Sequence, residues 1–260
     1  MRALLRRAEA AEEMTALGAA EVAVGDLFDS TSLRAAVEGC AKVLHICPPM
    51  TPQEADLGRT ITDLCLETGV GHLVLYSVLH PLLDDVPHHA NKLEAERYLI
   101  NSGQPYTILQ PARYMQHLSG IWNNVMRSGV HDMPFGVEAR FSIVDLKDLT
   151  EAVATVLTEP GHLGATYQLA GPEALNQIDM ARIISEVTGK TVTARAKPLD
   201  VFIKAMKAAG LPAYRIETMA AMNRHYDKHG LVGNPNVLAW LLGRAPTDFA
   251  AFIRRELAHP

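Results

Sequence analysis

His88 and Lys92 stand four residues apart in a stretch that reads as a helix, and Glu96 follows at the same interval. At 3.6 residues per turn these positions share a face, so an imidazole and an ammonium in this register can act on one ligand. Imidazole exchanges a proton near neutral pH, and a lysine ammonium binds a hydroxyl or a developing negative charge. The bland alternative for Lys92 is a solvated helix lysine paired with Glu96, an arrangement worth only about 0.3–0.5 kcal/mol. His225 and His229 repeat the four-residue spacing, which suits a metal, but no third ligand is recognisable beside them and no metal is expected. His80 and His89 read as loop residues. Cys40, Cys47 and Cys65 are odd in number and lack C-x-x-C spacing, so they read as packed thiols of a reducing cytoplasm rather than a disulfide frame or zinc site.

The elements that must position the His88–Lys92 pair are a buried-looking strand over 72–77, a loop rich in histidine and proline, and a helix over 87–101. A second strand over 105–109 follows, then Q-P-A-R-Y-M-Q at 110–116. Strand, helix and strand at this spacing make one βαβ unit, which needs a parallel sheet covered on both faces. Ligands of such sheets sit at the carboxyl ends of the strands. Here those ends are Ser77 with the loop to His89, and residues 110–116.

The same alternation runs upstream. Residues 1–7 read as a strand and 8–17 as an alanine- and glutamate-rich helix. A strand at 21–24 leads to a helix capped by Ser30 and stopped at Gly39. Cys47-Pro48-Pro49 breaks a strand at 42–46, and 52–68 is an amphipathic helix with Leu57, Ile61, Leu64 and Cys65 on one stripe. The pattern predicts a doubly wound α/β sheet. After residue 115 it loosens to a helix reaching 127, a strand at 140–144, a helix at 146–157 capped by Asp145, and a strand at 166–169. From Ile178 the chain reads as mainly helical. We therefore expect a domain over 1–170 and a smaller helical lobe over 171–260, to which 113–135 contributes. Tyr114, Met115, Trp122, Met126, Met133 and Phe135 either line an apolar pocket for a planar substrate or simply fill the core.

Composition narrows the classes. With 48% hydrophobic and 20% charged residues among 260, the chain has the make-up of an ordinary globular protein. A net charge of −5 with no basic cluster gives no footprint for nucleic acid. No apolar run is long enough for a membrane span, and residues 1–7 have no signal-peptide core. The expectation is a cytoplasmic monomer or homodimer acting on a small molecule.

Seven pieces in order carry a family resemblance: R-A-L-L-R-R at 2–7, G-D-L at 25–27, H-I-C-P-P at 45–49 with Ser77, K-L-E-A-E at 92–96, P-Y-T-I-L-Q-P at 105–111, G-N-P-N at 233–236 and L-G-R at 242–244. Together they resemble the NmrA-like family of atypical short-chain dehydrogenase/reductases. The resemblance implies a Rossmann-type fold, NADP or NAD as cofactor, and one of two roles. Members reduce quinone-like or dye-like substrates, or sense the dinucleotide without turning it over. It also implies that Arg6 and Arg7 clamp a 2′-phosphate, that Asp26 and Leu27 meet the adenine, and that Cys47, Pro48 and Pro49 pass the adenosine ribose. Ser77, Lys92, Pro111 and Tyr114 are further cofactor contacts, Lys92 at the nicotinamide ribose, with Lys92, His88 and Ser77 as the catalytic candidates. Lys92 matches the lysine of the Tyr-x-x-x-Lys motif, but His88 stands at the tyrosine position.

The match begins at the family's second strand. The first strand and its G-x-x-G-x-x-G turn, which bind the pyrophosphate, have no counterpart in these residues. Two readings stay open: a start placed too late, or a lost phosphate site that weakens cofactor binding. The latter also admits a cofactor-free acid–base enzyme built on His88 and Lys92.

Overall fold

The computed structural model describes residues 1–257. β1 (Arg2–Leu5) passes through a 3-10 turn (Ala8–Ala10) into α1 (Ala11–Ala16), then β2 (Glu21–Val24), α2 (Ser30–Val37) and β3 (Lys42–Ile46). α3 (Glu54–Thr68), β4 (His72–Tyr76), α4 (Pro87–Ser102) and β5 (Tyr106–Pro111) complete the alternation. β3, β4, β5 and the later β9 form a four-stranded parallel sheet in the order β3-β4-β5-β9, with β9 at Ala165–Leu169.

Every residue of β4 is buried, and the two-residue side-chain period divides them between two cores. Leu73 and Leu75 pack with Ile61, Leu64, Ala95 and Leu99 from α3 and α4. Val74 and Tyr76 face the other core, with Leu109, Leu169 and, from α6 (Leu146–Thr158), Leu149 and Ala152. Each such side chain removed from water stabilises the fold by roughly 1.5–3 kcal/mol, so this five-residue strand locks both helical layers onto the sheet.

β1 and β2 make a separate parallel pair, and among the described residues no strand hydrogen-bonds both β1 and β3. Side chains join the two groups instead. Leu4 and Val43 pack with Leu33 and Val37 of α2. Arg2 donates from Nη1 to the carbonyls of Ala36 (3.0 Å) and Glu38 (2.7 Å), closing the carboxyl end of α2, where backbone carbonyls lack helical partners.

After β5 the chain departs from the expected simple helix. β6 (Arg113–Tyr114) pairs with β8 (Phe141–Val144), a 3-10 helix spans Met115–Ile121, and only then do α5 (Trp122–Ser128) and β7 (Val130–Met133) follow. β10 (Ala174–Leu175) pairs antiparallel with β8, and α7 (Gln177–Thr188) comes next. β11 (Thr193–Ala196) is a strand that the helical reading of the last third did not include; it pairs in parallel with β7. α8 (Leu199–Ala208), α9 (Ala213–His229), α10 (Asn236–Leu242) and α11 (Phe249–Glu256) finish the described chain. Asp145 caps α6 as expected, accepting from Lys147 N–H. The cap of α2 is Asp29 rather than Ser30, because its longer carboxylate reaches the N–H groups of both Thr31 and Ser32. No helix of the described residues is long and apolar enough to cross a membrane.

Candidate active site at the strand ends

α3 and α4 run side by side on one face of the sheet, and Gly58 lets them touch. Their first two turns bring together three side chains. Glu54, the first residue of α3, is almost fully buried, and its two oxygens have separate cationic or donor neighbours. His88 Nδ1 lies 2.9 Å from Glu54 Oε2, and Lys92 Nζ lies 3.0 Å from Oε1. The lysine's well-aligned hydrogen bond goes to the Tyr76 carbonyl at 2.9 Å, so its contact with Oε1 is an ion pair off the hydrogen-bond axis. Burial pushes the Glu54 carboxyl upward, but the bond from His88 and the charge of Lys92 outweigh it and hold the group below the usual carboxylate range.

The bland pairing of Lys92 with Glu96 on a solvated face does not occur. Lys92 and Glu96 are each 5% exposed, and Glu96 takes two hydrogen bonds from the Gln110 amide, at 3.1 and 3.0 Å. Burial raises the Glu96 carboxyl above its ordinary value despite Ser77, Gln110 and Lys92 pulling it down. Ser77 Oγ is near enough to favour the ionised form, but its geometry leaves the hydroxyl without a well-formed hydrogen bond.

His45 of β3 stands against the same cluster. Burial, and then the charge of Lys92, pushes its pKa down to about 4, so the ring is neutral near pH 7. Its Nε2 has no partner. His45 Nε2, Glu54 Oε1 and Ser77 Oγ are thus three buried polar atoms without hydrogen bonds around one lysine, and buried polar groups are rarely left so. Such a cluster is suited to binding the hydroxyl groups of a ligand and to passing a proton.

Among the described residues the only non-glycine backbones in the left-handed region are Met50 (φ 57°) and His80 (φ 55°), in the loops leaving β3 and β4. Strain of this kind concentrates where a loop is held in place for a ligand.

The sequence candidates distribute as follows. His88, Lys92 and Ser77 come together. Cys47 adjoins them, its thiol pushed up to about 12 by burial and therefore unreactive, while Pro48 and Pro49 are exposed beyond it. Pro111 is buried at the end of β5, and Tyr114 reaches the phenol of Tyr76. Arg6 and Arg7 are exposed after β1. Asp26 forms the expected Asx turn by accepting from Phe28 N–H at 3.0 Å, with Leu27 half-buried beside it. No hydrogen bond or ion pair among the described residues links Arg6, Arg7, Asp26 or Leu27 to the Lys92 cluster.

His89 is not a loop residue. It lies in α4, fully buried, with Nδ1 2.8 Å from the His80 carbonyl and Nε2 2.8 Å from the Tyr226 hydroxyl. A carbonyl only accepts, so Nδ1 carries the proton and Tyr226 donates to Nε2. The His225 and His229 rings lie 4.8 Å apart, tilted by 43°, and His225 Nδ1 pairs with Asp85 at 2.8 Å. No metal-holding group of three or more His, Cys, Asp or Glu is present among the described residues. Of the apolar set, Tyr114, Met115 and Met133 line a small cavity; Met115 and Phe135 are also part of the main core, and Trp122 and Met126 pack against it half-buried.

Glu54, His45 and Tyr76 escaped the sequence reading. One signal for Glu54 was present: the apolar stripe Leu57–Ile61–Cys65, continued back one turn, reaches position 54. A charged residue on that stripe is a charged residue in the core.

The NmrA-like family model matches residues 1–252. The chain belongs to the NmrA-like family. It is 28% identical over 258 residues to an NAD(P)H azoreductase of Xenophilus azovorans, an alignment covering 99% of this chain and 89% of that protein. It is 27% identical to quinone oxidoreductase 2 of Escherichia coli, covering 95% of this chain and 86% of that one. The crystal structure of that enzyme with NADPH superposes with a TM-score of 0.85, at 26% identity, over 97% of this chain and 88% of the other. A triphenylmethane reductase from Citrobacter sp. gives a TM-score of 0.87 at 26% identity, over 99% and 90%. As a member of the NmrA-like family the chain has the Rossmann-type parallel fold expected from its strand pattern.

Proposed function

We propose that this NmrA-like protein is an NAD(P)H-dependent oxidoreductase that reduces small conjugated acceptors of the quinone or dye class. One observation carries the reading. Lys92 is clamped between Glu54 and the Tyr76 carbonyl at the carboxyl ends of β3 and β4, beside two buried polar atoms, His45 Nε2 and Ser77 Oγ, that lack partners. The relatives' activities, azo and quinone reduction with NAD(P)H, agree with it.

The residues at this edge suit the ribose and nicotinamide end of a dinucleotide, whose hydroxyl and amide groups match unfilled donors and acceptors. The phosphate end is more sparsely provided among these residues: β1 runs into Arg6-Arg7-Ala8 and β2 into Gly25-Asp26, with no glycine run. When bound, NAD(P)H supplies the hydride. The chain's own part is positioning and proton supply. Lys92 holds a ribose hydroxyl with the N–H that Glu54 and Tyr76 leave free. His88, fixed through Nδ1, keeps Nε2 for a proton at the acceptor, and Ser77 orients the acceptor's oxygen. Pro111 and Tyr114 flank the nicotinamide. Arg6 and Arg7 favour NADP through its 2′-phosphate, with Asp26, Leu27 and residues 47–49 along the adenosine. Residues 171–260 act with 113–135 as a substrate lobe over a 1–170 binding domain, a division supported by the β7–β11 pairing. The reading carries with it a cytoplasmic monomer or homodimer without nucleic acid.

The test is NADPH oxidation with a naphthoquinone and an azo dye, run beside thermal unfolding for the natural protein, Lys92→Ala and His88→Phe. Loss of turnover in both variants is expected at temperatures where unfolding shows each to be still folded. NADPH that binds but is never oxidised by any acceptor would replace this reading with that of a dinucleotide sensor.

A further inference from the structure

Beyond Tyr114 a small cavity lies under the 3-10 helix, and its charge is unbalanced. Arg113 lines it, together with Tyr114, Met115, His131 and Met133. The Arg113 guanidinium has no carboxylate partner among the described residues. Its hydrogen-bond neighbour is Met133 Sδ at 3.8 Å, and its Cζ sits 5.5 and 5.6 Å from the ring centres of Phe135 and Phe141. Burial pushes its pKa down to about 10, opposed only by Tyr226, so it remains charged near pH 7 but unneutralised. A guanidinium held in apolar surroundings without an anion is costly, and here it is kept in place by two aromatic faces.

A second observation points the same way. His131 of β7 is 4% exposed, lines the same cavity, and its Nδ1 has no hydrogen-bond partner. Burial and then Arg113 push its pKa down to about 4, so the ring is neutral and has one N–H to give. The pocket therefore presents a fixed positive fork and an unfilled imidazole, with no acidic side chain among its lining residues.

The geometry points to this cavity as a subsite for an anionic substituent, a carboxylate or sulfonate, carried by the aromatic acceptor. The inference rests on the reductase reading for the acceptor's identity, and it specifies which acceptors are preferred. The cavity measures about 30 Å³. At roughly 10–15 Å³ for each water-sized group, an oxyanion head fits and an aromatic ring does not. The ring is thereby left on the Tyr114 side. Tyr114 reaches Tyr76, whose carbonyl takes the Lys92 hydrogen bond, so a head group in the cavity aims the ring towards the strand ends. A planar guanidinium pairs bidentately with such an oxyanion, which a lysine cannot imitate.

The experiment is calorimetric binding of anthraquinone-2-carboxylate and of its methyl ester to the full chain without NADPH, so that it does not depend on turnover. The carboxylate is expected to bind at least tenfold more tightly. In Arg113→Met, which keeps the bulk, the carboxylate-to-ester ratio should fall towards one, and Arg113→Lys should restore only part of it. Equal affinities for acid and ester in the natural protein would overturn the inference without touching the reductase reading. So would a ratio unchanged in Arg113→Met, which would leave Arg113 as an aromatic clasp. Conversely, a strong carboxylate preference in a protein that never oxidises NADPH would retain this subsite and remove the reductase reading. If Arg113→Met fails to fold, the acid-to-ester ratio of the natural protein and of Arg113→Lys decides the matter.

Discussion

A Cβ placed on Gly58 would lie 2.5 Å from the Cβ of Ala95. This contact between α3 and α4 sets how near Glu54, one turn before Gly58, comes to His88 and Lys92 ahead of Ala95. Two effects compete in Gly58→Ala. Helix propensity favours alanine by about 1 kcal/mol, and overpacking against an unyielding Cβ costs about 1–3 kcal/mol. Overpacking wins, because neither partner has a side chain that can swing away. The variant should melt lower and lose activity through a widened Glu54–Lys92 distance, and Ala95→Gly in the same chain should restore both. Thermal unfolding with activity assays on the single and double variants checks this; a Gly58→Ala protein as stable as the natural one would show that the helices part freely.

Breaking a buried ion pair from one side costs about 3–5 kcal/mol, since the other charge is left unpaired. Glu54→Gln and Lys92→Met should each be strongly destabilising. The double variant should be less unstable than the sum predicts, by roughly 1–3 kcal/mol. Activity should not recover in it, because the ammonium is gone. Urea unfolding of the four proteins of this cycle gives the coupling. Strict additivity would mean that the 3.0 Å pair carries no energy.

Acid should unfold the protein through its histidines before its carboxylates. His45, His89 and His131 each have a pKa lowered by burial to about 4 from 6.5. The unfolded chain takes up these protons first, so stability is full above pH 6.5 and falls as pH drops towards 4. Each histidine removes roughly 3 kcal/mol once both values are passed. Glu54, with its pKa below the usual 4.5, adds its loss only at lower pH. Urea midpoints at four pH values between 7.5 and 4.5 should show the decline, and His89→Gln should make it shallower. A flat profile would mean that these rings are solvated.

Arg6 and Arg7 are exposed and make no ion pair among the described residues, so their charge is available to a ligand. Replacing both by alanine should weaken NADPH binding by roughly tenfold or more, the worth of one to two charged hydrogen bonds, and leave NADH nearly unchanged. Equal losses for the two cofactors in a titration would assign the arginines to the strand end instead.

Local signals determined much of this protein. Strands 42–46 and 72–77 and helices 52–68 and 87–101 lie within a few residues of their observed bounds, because short apolar runs, amphipathic stripes and Pro or Gly stops act over a few residues. The four-residue interval placed His88 and Lys92 on one face, since helix geometry alone dictates it. The sequence could not say which way that face points. Its low apolar content reads as solvated, yet His88, Lys92 and Glu96 are all buried. Only the packing of α3 on α4 supplied the counter-charge, from a residue 38 positions upstream of Lys92 in the chain, and turned a weak surface pair into a buried one. The same holds for Arg113 and His131, which two different strands bring to one cavity, and for Phe135 and Phe141, whose rings lie against the Arg113 guanidinium. Periodicity describes one element at a time. Desolvation and pairing across elements, which decide whether a charged side chain is surface or site, exist only once the chain has closed on itself.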